Sequence, residues 1–375
     1  MKNWDEQIEF PKKEPEIEYA YILKSNDKPI KCTREELLEI IEKSEDVKFV
    51  ATPYNDNFIL PGSDFETLQP VLRRKKSSVK NSLHFGLLYI VLFGGLMLSF
   101  SLTSDGGFWS NRSGKFNLLV FGLIPVLNGL FELFYLHRIN ELNYFRESSE
   151  IKFDFWINQK RVVSIFIVAG ILVLITLVQF ISGIENSVES AGLVKSKTLA
   201  GEYWRLLTCT LLHGSLLHIF FNATAIYVIG RMVIRIAGFS FFAIVFLFSG
   251  LLGSFFSLIL LPNVTSVGSS GGIMGLIGFI LVISLKLRDN IPRNIIKSML
   301  NAIILTAIIG ISATEIIDNA AHGGGLIGGM IAGTIMIRRK NNMIPYKPTF
   351  LINGLGILSV LILLGGIVMI FKQLR

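Results

Sequence analysis

The chain has 375 residues, of which 51% are hydrophobic and 17% charged, and it carries a formal net charge of +8. With only two cysteines, Cys32 and Cys209, it has no disulfide framework to staple a small secreted scaffold. The basic surplus lies in short stretches between long apolar runs, a pattern of membrane topology rather than of phosphate binding, so no nucleic-acid partner is expected.

Residues 1–16 are polar and carry Asp5, Glu6, Glu9, Lys12 and Lys13, so no cleavable signal peptide is expected there. Residues 1–72 hold 9 Lys/Arg against 16 Asp/Glu, a net of −7, which leaves +15 for the remainder. This stretch reads as a small soluble α+β module without a catalytic constellation. Residues 17–23 alternate as a strand does and end at the turn-like Asn26-Asp27-Lys28-Pro29. Thr33 and Glu36 have capping-box spacing and open an amphipathic helix over 34–44. Residues 47–52 and 57–60 suggest a hairpin across Pro53-Tyr54-Asn55-Asp56. The basic run Arg73-Arg74-Lys75-Lys76 with Lys80 then reads as a positive-inside anchor, with recognition of anionic lipid as the alternative.

From there apolar residues come in runs long enough to cross a bilayer as helices. Nine such runs lie near 83–101, 117–131, 162–182, 212–230, 237–261, 264–284, 298–314, 319–337 and 350–371. The first two form a hairpin around 103–116, with Glu132 near the inner end of the second, and the polar linker 138–161 follows. If residue 1 is cytoplasmic, the inner loops and flanks hold 20 Lys/Arg and the outer ones 7. The expected topology is therefore amino terminus inside and carboxyl terminus outside. It places Cys32 and Cys209 on opposite sides, where they cannot pair. The expected divisions are 1–80, a cytosolic α+β module with its basic run; 81–160, a two-helix hairpin and linker; 161–338, a catalytic core; and 339–375, an extra C-terminal helix.

Three polar clusters interrupt these spans. They are His213, His218 and Asn222 in one; Gly268-Ser269-Ser270-Gly271-Gly272 in the second; and Ala321-His322-Gly323-Gly324-Gly325 in the third. One span separates each from the next, so all three run from outside to inside and carry their polar ends on one face of the membrane. Imidazoles and a hydroxyl are costly in lipid unless they meet partners or water, which points to a shared polar cavity. The chemistry that suits it is acyl transfer: a serine needs a base to take its proton, and neutral imidazole serves near pH 7. His218 and Asn222, four apart, share a helix face and can both donate to an oxyanion. The Ser270 N–H at a helix start is a third donor. Gly271, Gly275 and Gly278 opposite Gly323, Gly324, Gly325, Gly328, Gly329 and Gly333 allow two helices to pack backbone to backbone. Each signal has a bland alternative, namely a tight helix pair, a serine bonded to its own helix, or a packing histidine.

Taken together, these residues resemble the rhomboid intramembrane proteases over about 161–338. Gly201-Glu202-Tyr203-Trp204-Arg205 is similar to the family's Trp-Arg element. His213 to Asn222 is similar to its His-x4-His-x3-Asn helix, Gly268 to Gly271 to Gly-x-Ser-Gly, and Ala321 to Gly325 to Ala-His-x-x-Gly. The resemblance implies an all-α polytopic membrane fold. It would comprise a six-helix core, an N-terminal two-helix hairpin and an extra C-terminal helix, after the small soluble domain. It further implies a Ser-His dyad with Ser270 as nucleophile and His322 as base, and no third acid. His218, Asn222 and the Ser270 amide would form the oxyanion site. His213, Trp204, Arg205, Gly268 and Gly271 would have structural roles. Such proteases cleave transmembrane protein substrates near their extracytoplasmic end, in the lipid of the cell membrane, without cofactor or metal. The chain departs from the family at Met274, where an aromatic residue often packs on the histidine; a thioether can do the same. A client-binding relative without activity would lack Ser270 or His322. A transporter would carry polar residues deep in several spans. A zinc protease would need a His-Glu-x-x-His string.

Overall fold

A computed structural model describes residues 3–103, 122, 124–137, 144–159, 161–312, 317–338 and 344–375. The chain divides into two compact units. One is Asp5–Trp156; the other joins Met1–Trp4 to Ile157–Arg375.

The first unit is built on a three-stranded antiparallel sheet of β1 (Ala20–Leu23), β2 (Asn26–Lys31) and β3 (Val47–Ala51), in the order β2-β1-β3. Asn26-Asp27-Lys28-Pro29 is therefore a strand rather than a turn, and the chain reverses at Lys24-Ser25. Pro29 is tolerated because β2 is an edge strand, where its missing N–H costs no ladder bond. The hairpin expected between 47–52 and 57–60 reduces to a single bridge, Val50 with Ile59, on the edge of β3 that does not pair with β1. Helix α1 (Arg34–Lys43) begins with the expected capping box. The Glu36 N–H donates to Thr33 Oγ1 at 3.2 Å and the Thr33 N–H to Glu36 Oε2 at 2.9 Å. Leu37 and Ile41 of α1 are buried with Val47, Val50 and Val71. Thr33→Ala should lower the stability of this unit by about 1 kcal/mol, read as a shift in its unfolding midpoint in denaturant.

Helix α2 (Phe65–Thr103) is continuous through the expected boundary at 72 and through the basic run. Arg74 donates to the carbonyls of Ile41 and Ser44, so it closes the C-terminal end of α1. Arg73 pairs with Glu42 at 2.9 Å. Two of the four consecutive basic residues thus hold the module together rather than meeting lipid. Helix α3 is Ile124–His137; the Glu132 side chain and much of the expected 103–116 turn lie outside the described residues. The expected linker is helical as α4 (Tyr144–Gln159), and Ile151 and Phe155 pack against the sheet cluster of Ile17, Ile22, Phe49 and Phe58.

The second unit contains α5 (Val163–Ser182), α6 (Leu216–Ala237), α7 (Phe239–Leu260), α8 (Ser270–Lys286), α9 (Arg293–Ser312), α10 (Asn319–Met336) and α11 (Phe350–Gln373). Among the described residues, five helices are long and apolar enough to cross a membrane: α5, α6, α7, α9 and α11. With 17 residues α8 is only about 25 Å long. It starts at Ser270, not 264, because 264–269 is non-helical, bridging Leu193 through Ser266 and turning at Gly268 and Ser269. Likewise α6 starts at Leu216, leaving His213 in the preceding loop. Residues 271–284 of α8 are all buried, so this helix meets protein on every side.

Glycine permits that burial. A methyl group on Gly325 would overlap the Gly271 carbonyl, and one on Gly329 the Gly275 carbonyl, so α8 and α10 touch backbone to backbone. Gly324 and Gly328 instead face α7, at Phe256 and Ser249, while Gly323 faces open space. The expected seam therefore uses only part of the glycine run. The last helix, α11, lies against α7, where Ser240 Oγ donates to Asn353 Oδ1 at 2.8 Å. Its Gly366 meets Leu207 and Leu211 in the loop that leads to His213.

Candidate active site

The loop between α5 and α6 is held from within. Arg205 is buried and stacks over Trp204, its guanidinium carbon 4.6 Å from the ring centroid. It donates to Glu202 at 2.6 Å and to the carbonyls of Glu189 and Gly192 at 3.1 and 2.7 Å. One side chain so ties three stretches of this loop together, a geometry the planar guanidinium fork suits.

His213 is fully buried and held at every polar atom. Its backbone N–H donates to Gln179 Oε1 at 2.9 Å, and its carbonyl accepts from Gln179 Nε2 at 3.2 Å. The Thr176 hydroxyl donates to Leu172 O at 2.9 Å and lies 3.2 Å from His213 Nδ1. Its single hydrogen is thereby used, so His213 Nδ1 carries the proton and Nε2 is left as an acceptor. Nε2 lies 3.3 Å from Ser269 Oγ, whose hydroxyl donates to it. His213 accordingly fixes the residue immediately before Ser270. The sequence reading missed Gln179, Thr176 and Ser269 in this arrangement. Gln179, an amide inside an otherwise apolar span, was the available signal.

Ser270 is the first residue of α8, and no side chain caps that helix start. Its first-turn amides are left to face whatever enters, with the positive end of the helix dipole behind them. The approach is made by Gly268, whose φ is +134°. A Cβ there would lie 2.7 Å from His218 Cε1, 2.8 Å from Nε2 and 3.7 Å from Asn222 Nδ2. His218 and Asn222 thus lie directly against the backbone that leads into Ser270. Asn222 Nδ2 is buried and has no hydrogen-bond partner among the described residues. The His213 and His218 rings meet edge to face with centroids 5.1 Å apart.

His322 lies one turn into α10, its N–H donating to the Asp318 carbonyl at 3.1 Å. Ala321, the residue before it, lies against Gly271: a Cβ on Gly271 would be 3.4 Å from the Ala321 carbonyl. Nδ1 of His322 is buried without a partner, so no carboxylate orients this imidazole among the described residues. Met274, one turn into α8, is also buried. The three polar clusters meet at one end of the unit. A serine, a histidine and a buried amide donor brought to one end of the unit are the components acyl transfer requires.

Residues 200–339 match the Rhomboid domain. The chain is 37% identical over 136 residues to Rhomboid protease GluP of Bacillus subtilis, covering 36% of this chain and 26% of that protein. It is 32% identical over 149 residues to RHOMBOID-like protein 4 of Arabidopsis thaliana, covering 40% of this chain and 38% of the relative. The rhomboid relative YdcA of Bacillus subtilis is 30% identical over 141 residues, 70% of its length. The chain belongs to the rhomboid family. The matched region runs from just before Trp204 to just after α10, so the rhomboid likeness takes in Trp204, Arg205, His213, His218, Asn222, Ser270 and His322, but not Thr176 or Gln179. The first unit and α11 lie outside it, and the match spans well under half the length of the first two rhomboid relatives.

Proposed function

We propose that this chain is an intramembrane serine endopeptidase that hydrolyses peptide bonds in or near the extracytoplasmic end of substrate transmembrane helices. The observation that carries the reading is Asn222 Nδ2, a buried amide donor without a partner among the described residues, lying beside the backbone that leads into Ser270. An unmet donor at that depth is costly in a resting protein and useful where an oxyanion forms.

In the proposed reaction Ser270 Oγ attacks the scissile carbonyl carbon while His322 takes its proton. The carbonyl oxygen becomes an oxyanion and accepts from Asn222 Nδ2, His218 and the Ser270 N–H. The C–N bond then breaks, His322 returns the proton to the leaving amine, and an acyl ester on Ser270 remains. Water, deprotonated by His322, attacks that ester, releasing the new carboxyl group and restoring the Ser270 hydroxyl. Ser270 and His322 are not hydrogen bonded to each other at rest, so their contact tightens as substrate binds. Trp204 and Arg205 hold the loop, and His213 holds Ser269. The distribution of Lys and Arg supports a cytoplasmic amino terminus and a cavity opening to the extracytoplasmic side of the cell membrane.

The test is cleavage of a transmembrane substrate with small residues near its outer end, reconstituted with the protein in liposomes. Wild type is expected to yield a single cut near that end. Folded wild type that leaves a panel of such substrates intact would contradict the reading. In the same assay Asn222→Ala should lower kcat by about ten- to a thousandfold, the range for loss of one oxyanion donor. An unchanged kcat would remove Asn222 from that role.

A further inference from the structure

Lys195 is 3% exposed and makes no direct ion pair among the described residues; its Nζ donates to Ser257 Oγ at 2.8 Å and to Ser266 Oγ at 2.6 Å. The two hydroxyls lie 3.1 Å apart, and the Ser257 hydroxyl donates to Asp318 Oδ2. Asp318 Oδ1 accepts from the Ala321 N–H at 2.8 Å, which caps α10. Because ammonium can only donate and carboxylate can only accept, the hydroxyl protons all run one way, from Lys195 towards Asp318. Burial pulls the Lys195 ammonium pKa down, and the Asp318 charge pushes it back up.

The four residues come from four segments. Ser266 lies four residues before Ser270, on the non-helical segment that Leu193 pairs with on both sides, at 3.0 and 3.3 Å. Asp318 lies four residues before His322, at the first turn of the helix that carries it. Ser257 is in the last turn of α7, and Lys195 belongs to the loop that Arg205 organises. The network therefore spans from the approach to the nucleophile to the start of the base helix.

The geometry points to Lys195 and Asp318 as positioning residues that set the distance between Ser270 and His322, an inference that rests on the protease reading above. Asp318 is not a third member of a catalytic triad: Ala321 and Ser257 occupy its two oxygens, and the His322 Nδ1 remains without a partner. It acts through the α10 N-terminus, and Lys195 couples that terminus to the segment ahead of Ser270. A buried cation whose compensation arrives through hydroxyls holds its surroundings strictly, because losing either charge leaves the other unmet.

The test compares Lys195→Met, Asp318→Asn and the double variant with wild type, in liposomes and well below each protein's melting temperature. Asparagine keeps the cap of α10, so Asp318→Asn removes charge without removing the helix start. Each single variant should lose about tenfold in kcat with little change in KM, at a folded fraction equal to wild type. The double variant should lose much less than the two losses multiplied, because removing both charges leaves neither stranded. Wild-type kcat in either single variant, or losses that simply multiply, would overturn the clamp. So would losses that follow the unfolded fraction alone. Ser270→Ala and wild type run alongside: an active wild type with an active Lys195→Met sinks only the clamp, whereas an inactive wild type sinks the protease reading and the clamp with it.

Discussion

Ser270→Ala and His322→Ala should each lower cleavage of a transmembrane substrate by about four orders of magnitude or more, while leaving the protein folded. The size follows from the division of labour: without the hydroxyl no acyl ester forms, and without the imidazole the hydroxyl keeps its proton. The two losses should be similar and should not multiply in the double variant, because both remove the same step. Folding should survive for reasons visible in the site. Ser270 does not cap its helix, and His322 Nδ1 supports no neighbour, so neither truncation strands a buried partner. Cleavage in liposomes and thermal unfolding in detergent check the two halves separately. Appreciable turnover in either variant would break the assignment of the dyad.

Gly329→Ala should be the most damaging single methyl group in the second unit. Its Cβ would overlap the Gly275 carbonyl, and backbone cannot swing away as a side chain can. The two helices would have to separate or shift, at a cost of about 3 kcal/mol or more, beyond the usual range for overpacking because a carbonyl is what is struck. The same displacement would draw His322 away from Ser270, since the seam continues from Gly329 through Gly325 to the first turns of both helices. We expect a markedly lower melting temperature and loss of activity in whatever remains folded. Gly365→Ala is the comparison: nothing lies within 4 Å of its Cβ position on α11, and its melting temperature should stay near that of wild type. Equal melting temperatures for the two variants would contradict the backbone-to-backbone seam.

Much of this was legible in the chain because it is local. The Thr33–Glu36 box, the apolar runs and the glycine spacing of α8 and α10 each rest on residues a few positions apart. The three polar clusters were legible because each disturbs an apolar background where little else is polar. What the sequence concealed is long-range. Lys195, Ser257, Ser266 and Asp318 are separated by up to 123 positions; no periodicity links them, and each alone reads as a solvated or helix-bonded residue. Arg74 looked like part of a positive-inside anchor because its acceptors, the last carbonyls of α1, are backbone atoms with no signature. Asn26 to Pro29 looked like a turn because its composition is that of a turn, and only its place at the sheet edge overrides that preference. The segment 138–161 looked like a linker because its apolar residues, Ile151 and Phe155 among them, are too few to announce a core that other elements supply.

The most direct test of an activated serine needs no knowledge of the substrate. Purified wild type, Ser270→Ala and His322→Ala would be treated in detergent with a fluorophosphonate, and the modified residue located by peptide mass spectrometry. One phosphonylated residue, Ser270, is expected in wild type, and no labelling of either variant. Labelling of folded wild type at another serine, or undiminished labelling of His322→Ala, would contradict the dyad.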